Sequence, residues 1–183
     1  MSAVDAALRE AVIGIARQAG AAIMQVYADG FDVEHKDDLS PLTSADLAAH
    51  HVIVHGLAQL TPDLPVLSEE SAQLPWDARR QWQDYWLVDP LDGTREFIKR
   101  NGEFSVNIAL IRDGAPVFGV VQAPVSDVVW HAMRGDGAWR REGGREDAIL
   151  TRRWRPAART AMRAPANCSR AWARSNWWRR APR

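Results

Sequence analysis

The chain has 183 residues, 46% of them hydrophobic and 25% charged, enough for one domain with a sizeable core. Its formal net charge of zero hides a division: residues 1–150 carry 13 Lys and Arg against 23 Asp and Glu, a net −10, while residues 151–183 carry ten Arg and no acid. An acidic body excludes a protein that grips nucleic acid by charge. The lone cysteine, Cys168, excludes a disulfide framework and points to a reducing cytoplasm. No secretory leader pattern opens the chain and no apolar run approaches membrane-spanning length.

Apolar residues at Val4, Leu8, Val12, Ile15, Ala19, Ile23 and Val26 form one stripe at helical spacing, which predicts an amphipathic helix over residues 3 to 27. A short strand follows at 32 to 35. A polar loop with a Ser-Pro turn then leads into a helix from about 44 to 60, with Thr43 or Ser44 as its cap. Residues 65 to 68 and 85 to 88 read as strands. Residues 104 to 112 and 116 to 122 read as a hairpin around Asp113-Gly114, with a further strand at 128 to 133. The histidines (His35, His50, His51, His55, His131) lack metal-ligand spacing, except that His51 and His55 stand at i, i+4. On a helix flanked by alanines they read as exposed.

The strongest chemical signal follows the strand at 85 to 88. It delivers two carboxylates, Asp89 and Asp92, around Pro90 and Leu91, with Gly93 and Thr94 directly after. Proline stiffens the turn, glycine lets the backbone approach an anion, and a threonine hydroxyl can position water. Hard cations such as Mg²⁺ take such oxygens and share them with phosphates. A bare Asp-x-x-Asp is also an ordinary turn. Upstream, residues 65 to 67 end in Ser68-Glu69-Glu70. A carboxylate there could close a shared metal site, or could sit in a solvated loop. Asp46 in the first turn of the second helix is, by itself, an acid favoured by the helix dipole.

The D-P-L-D-G-T string (89 to 94), the Glu69-Glu70 pair and the segment Lys36-Asp37-Asp38-Leu39-Ser40-Pro41-Leu42-Thr43-Ser44-Ala45-Asp46 resemble the signatures of the lithium-sensitive, Mg²⁺-dependent phosphatase superfamily. That superfamily includes inositol monophosphatases, fructose-1,6-bisphosphatases and bisphosphate nucleotidases. Within it, AGAAIMQVY (19 to 27), SPLTSADLAAH (40 to 50), TPDLPVLSEE (61 to 70), YWLVDPLDGTREFIKRNGEFSVNIALI (85 to 111) and GVVQAPV (119 to 125) are similar to the CysQ-type branch, and EFIKRNGEF is its branch-specific part. The resemblance runs from about residue 3 to about residue 140.

It implies an α/β (α+β) layered sandwich of the sugar-phosphatase type, of which this chain holds the first half: a largely antiparallel sheet with packed helices. It also implies hydrolysis of 3'(2')-phosphoadenosine 5'-phosphate to AMP and phosphate. Two or more Mg²⁺ ions would be held by Glu69, Asp89, Asp92 and the Leu91 carbonyl, with inhibition by Li⁺. Thr94, hydrogen-bonded to Asp46, would activate water, and the substrate would meet Glu69, Leu91, Asp92, Gly93 and Thr94. The implied location is the cytoplasm, with peripheral association at the inner membrane left open. An inositol-1-monophosphatase-like activity and an inactive fragment stand as alternatives. The second alternative arises because the superfamily's further aspartate, at a W-D-x-A-A-G-like helix start, has no match here. Residues 76 to 79, WDAR, precede Asp89 and lack the glycine.

Beyond residue 140 the resemblance fades. Residues 151–183 hold ten Arg, eight Ala, four Trp and three Pro, with no Leu, Ile, Val or Phe. Such a composition has no period from which to build a core and resembles a GC-rich frame read out of register. Residues 141–183 are therefore expected to be a basic tail, disordered or out of frame, outside the domain of residues 1–140.

Overall fold

The computed structural model describes residues 4–30, 33–35, 41–71 and 75–149. The Lys36–Ser40 part of the loop motif and the Arg-rich residues 150–183 lie outside the described residues. The first helix, α1 (Ala6–Asp29), is opened by Asp5, whose carboxylate accepts from the Leu8 amide at 2.8 Å. It is closed by Gly30 at φ 95, whose amide returns to the Val26 carbonyl. The hairpin β1 (Val33–His35) and β2 (Pro41–Thr43) pairs antiparallel and leads into α2 (Ser44–Leu60). The helix thus spans the range expected from sequence, and Thr43 is the cap. The Ser-Pro segment, expected as loop, enters β2 at Pro41.

A seven-stranded sheet follows: β3 (Val66–Ser68), β4 (Asp84–Asp92), β5 (Ser105–Arg112), β6 (Ala115–Ala123), β7 (Val128–Met133), β8 (Gly137–Glu142) and β9 (Arg145–Ala148), in that spatial order. β3 and β4 run parallel; every later pair is antiparallel. Two short helices, α3 (Trp76–Arg79) and α4 (Thr94–Ile98), flank β4. The β5–β6 connection is the Asp113-Gly114 turn expected from sequence, with both residues at positive φ (50 and 71).

Strand alternation sets the core. Trp86, Val88, Val106, Ile108, Leu110, Phe118 and Val120 point to one face, where α1 contributes Val12, Ala16, Ala19 and Ile23 and α2 contributes Ala49, Ile53 and Leu57. Small residues bring the layers close: a Cβ on Gly20 would stand 2.3 Å from Gln122 Oε1 on β6. The buried Trp86 satisfies its indole by donating to Thr61 Oγ1 at 2.9 Å.

Two elements escaped the sequence reading for physical reasons. β4 does not end at Val88 but continues through the motif to Asp92. Asp89 pairs with Asn107 and Asp92 with Ser105, so one extra residue bulges out at Pro90-Leu91. A bulge is where a strand accommodates a residue without an N–H. Residues 141–149, placed with the tail on composition, lie in the sheet and its edge. β8 and β9 are joined through Gly143-Gly144, both at positive φ. They carry charge instead of apolar alternation, as an exposed edge does.

Charge also ties this edge to α1. Arg141 donates to both oxygens of Glu10 at 2.6 Å and, through Nε, to Glu146 at 2.5 Å. Glu146 in turn meets His131 Nε2 at 2.8 Å. The Arg141 guanidinium holds the Glu10 carboxyl down at about 2 and also lowers Glu146. A depressed carboxylate stabilises the fold above its ordinary value of 4.5 and loses that contribution as the pH falls towards about 2. Arg141→Ala should therefore cost about 1 kcal/mol in urea unfolding at neutral pH, the upper end for exposed pairs because one fork serves two acids. The gap between variant and parent should close in acid. Equal stability at neutral pH would show that the clasp contributes nothing.

Candidate metal and phosphate site

The site lies where β3 and β4 end. Their parallel register (Val66 with Trp86, Leu67 with Leu87, Ser68 with Val88) sets Glu69 next to Asp89, and the Glu69 amide donates to the Val88 carbonyl at 3.0 Å. Two acids far apart in sequence thus become neighbours through backbone pairing alone. The bulge then directs Asp92 and the Leu91 carbonyl around the same corner, and Gly93 reverses the chain into α4. Gly93 has φ +95, and a Cβ there would lie 2.9 Å from the Glu103 carbonyl oxygen. Only glycine fits that position without strain.

The electrostatics are those of like charges held out of water. Asp89 and Asp92 are only 8% and 9% exposed. Burial, then the neighbouring Glu69 and Asp92, push the Asp89 carboxyl well above the usual carboxylate range, and it hydrogen-bonds Glu69. Two carboxyls pair in this way only when one keeps its proton. Burial also raises Asp92, against the Asn107 amide, which donates to Asp92 Oδ2 at 3.4 Å. Oδ1 of Asp89 is buried without a hydrogen-bond partner among the described residues.

Asp46, 1% exposed, sits opposite. Its Oδ2 accepts from the Thr43 amide at 2.7 Å and the Thr43 hydroxyl at 2.6 Å; its Oδ1 accepts from Thr94 Oγ1 at 3.1 Å. The first-turn cap and the contact with Thr94 are therefore the work of one side chain. The Thr94 hydroxyl also lies 3.3 Å from the Leu91 carbonyl oxygen.

The oxygens gathered here are all hard, and the partnerless Asp89 Oδ1 suits a divalent cation. No group of three or more His, Cys, Asp or Glu among the described residues stands close enough to hold a metal ion by itself. The three acids expected to close a shared site are thus neighbours in charge without forming a finished cage. That fits Mg²⁺, which is typically bound by one or two carboxylates with waters and substrate phosphates completing its shell.

Sequence reasoning missed Asn107, Ser68 and His50. Asn107 interrupts an otherwise apolar run in β5, but its register against Asp89 could not be read. His50, read from sequence only as lacking metal-ligand spacing, is half-buried with Nδ1 2.8 Å from Ser68 Oγ. His131 is buried as well, whereas His51 and His55 are exposed as expected. Asp77 of the WDAR segment is exposed on α3 and pairs with Arg80.

The layered fold, with acids at the ends of adjacent strands, is that of inositol-monophosphatase-type phosphatases. Structural neighbours include CysQ from Bacteroides thetaiotaomicron (TM-score 0.62, 45% identity, covering 78% of this chain and 52% of that one). Another is the extragenic suppressor protein SuhB from Bartonella henselae (TM-score 0.66, 31% identity, 74% and 52%). The chain belongs to the inositol monophosphatase family, whose model matches residues 5–164. Among curated relatives it is 58% identical over 149 residues to the 3'(2'),5'-bisphosphate nucleotidase CysQ of Salmonella typhimurium, covering 80% of this chain and 60% of that protein. The chain thus spans well under two thirds of that relative's length.

Gly93→Ala tests the corner itself. The left-handed conformation costs a non-glycine residue about 1–2 kcal/mol before any clash with Glu103. Thermal unfolding should show at least that loss, and a change of a few tenths would mean that the corner relaxes at little cost.

Proposed function

We propose that the chain carries the metal and water-activating part of a Mg²⁺-dependent phosphomonoesterase acting in the cytoplasm on 3'(2')-phosphoadenosine 5'-phosphate. The observation that carries the reading is the buried, partnerless oxygen of Asp89 set between Glu69 and Asp92. A cluster that costs stability in every other respect makes sense as a cation site. The choice of substrate rests on the identity to the Salmonella nucleotidase.

In this reading Glu69, Asp89, Asp92 and the Leu91 carbonyl hold the cation. Mg²⁺, when bound, supplies phosphate polarisation and a lowered pKa for water. Thr94 points its proton at Asp46, which leaves a hydroxyl lone pair turned to the site to accept a hydrogen bond from the attacking water. Asp46 stays a competent acceptor because Thr43 satisfies its other oxygen twice. The water attacks phosphorus, the ester P–O bond breaks, and the leaving oxygen takes up a proton to give AMP and phosphate. Inhibition by Li⁺ is expected with the same site. No helix among the described residues is long and apolar enough to cross a membrane.

A second reading, a metal half-site without turnover, is favoured by the lack, among the described residues, of any group of three or more metal-ligating side chains close enough to hold an ion. Phosphate release from 3'-phosphoadenosine 5'-phosphate, compared with inositol 1-phosphate, separates the possibilities. Turnover of the nucleotide supports the first; Mg²⁺ binding with no turnover assigns the second. Given turnover, Thr94→Ala should lower kcat by ~10²–10⁴-fold with Mg²⁺ affinity kept. Weakened Mg²⁺ binding with kcat preserved would move Thr94 into the binding role.

Asp89→Asn tests the metal assignment without relying on activity. Removing a buried acid from its like-charged neighbours should raise the melting temperature of the metal-free protein and abolish stabilisation by Mg²⁺. Undiminished stabilisation by Mg²⁺ in the variant would remove Asp89 from the site.

A further inference from the structure

Helix α2 reaches the strand ends twice. Asp46 in its first turn holds Thr94, and His50, four residues on, lies on the same face one turn further along. His50 Nδ1 is 2.8 Å from Ser68 Oγ. Ser68, 5% exposed, is the last residue of β3, and the next residue is Glu69. The backbone of Glu69 is already pinned by its amide to Val88; the imidazole pins the residue before it from the other side. A hydroxyl this deeply buried needs a partner, and among the described residues His50 supplies one. Burial of the ring, with His51 beside it, lowers the His50 pKa, so at neutral pH the ring is uncharged and bonds Ser68 in either tautomer.

We propose that His50 is a positioning residue for the metal site: through Ser68 it fixes the end of β3 and so aims the Glu69 carboxylate at Asp89. The inference rests on reading Glu69 as a cation ligand and extends that reading to a helix side chain that touches neither metal nor substrate. Groups that orient ligands in this way commonly set metal affinity by roughly 10–100-fold.

The test measures Mg²⁺ affinity of the full chain by calorimetry, with Mn²⁺ as a spectroscopic competitor, for His50→Ala, Ser68→Ala, the double variant and His50→Asn. Each alanine change should weaken binding about tenfold, and the double variant should be no weaker than either single, because both break one hydrogen bond. His50→Asn, which can keep a bond to Ser68, should restore most of the affinity. His50→Ala should also lower the metal-free melting temperature, because it leaves the buried Ser68 hydroxyl without this partner, and His50→Asn should recover most of that loss. Parent-like affinity in the alanine variants, or losses that add in the double variant, would overturn the proposal. So would a fall in melting temperature without a change in affinity. Should His50→Ala fail to fold, Ser68→Ala decides alone by the same measure. A parent chain that binds no Mg²⁺ would overturn the metal-site reading together with this one, whereas a binding parent with unaffected variants overturns this one only.

Discussion

Parallel pairing of β3 with β4 is the constraint on which the site depends. A parallel pair places equivalent ends of two strands side by side, so acids that follow each strand meet at the same edge. Here the register puts Glu69 beside Asp89, and the bulge at Pro90-Leu91 keeps Asp92 within reach after the strand would otherwise have turned its side chain away. An antiparallel pairing at this position would have sent the two acids to opposite ends of the sheet. In chain order α3 stands between β3 and β4, as a parallel pair needs a crossover longer than a tight turn.

Such a gathering of buried acids is unfavourable until something positive or a proton is shared among them. The fold contains the repulsion by fixing the participants from outside. Asn107 donates to Asp92, the Thr43 amide and hydroxyl hold Asp46, and Asp46 holds Thr94. These supports come from β5 and from the start of α2, two elements seated firmly in the core by Ile108, Leu110, Ile53 and Leu57. Rigid elements thus carry the unfavourable chemistry, and the hydrophobic layer between helices and sheet supplies the stability that the site consumes.

Much of this was legible in the sequence where local rules suffice. The stripe from Val12 to Ile23 specified α1, the Ser-Pro turn with its Thr43 cap marked the start of α2, and Asp113-Gly114 specified the hairpin of β5 and β6. The D-P-L-D-G-T string marked the corner because its chemistry is packed into consecutive residues. What could not be read were relations created by pairing. That Asn107 faces Asp89 depends on the register of β4 against β5, and that His50 faces Ser68 depends on how α2 crosses β3. The edge strands β8 and β9 were hidden for another reason. β9 is exposed throughout, β8 is mostly half-buried, and both carry charge, so hydrophobic alternation, the usual sign of a strand, is absent there.

The same residue types play opposite parts at the two ends of the sheet. At the β8–β9 edge, Glu10 and Glu146 are drawn down by Arg141, so their charged forms stabilise the native state. At the β3–β4 corner, Asp89 is pushed up by burial and by Glu69 and Asp92, and Asp92 by burial and by Glu69 and Glu96, so their charged forms oppose it. Acids with guanidinium partners act as fasteners, bringing strands with little apolar surface onto α1. Acids without such partners carry like charge that the proposed cation would neutralise. For these four carboxylates the direction of the shift follows the neighbourhood: a guanidinium lowers it, and burial among other acids raises it, a distinction that composition, which counts all acids alike, cannot make.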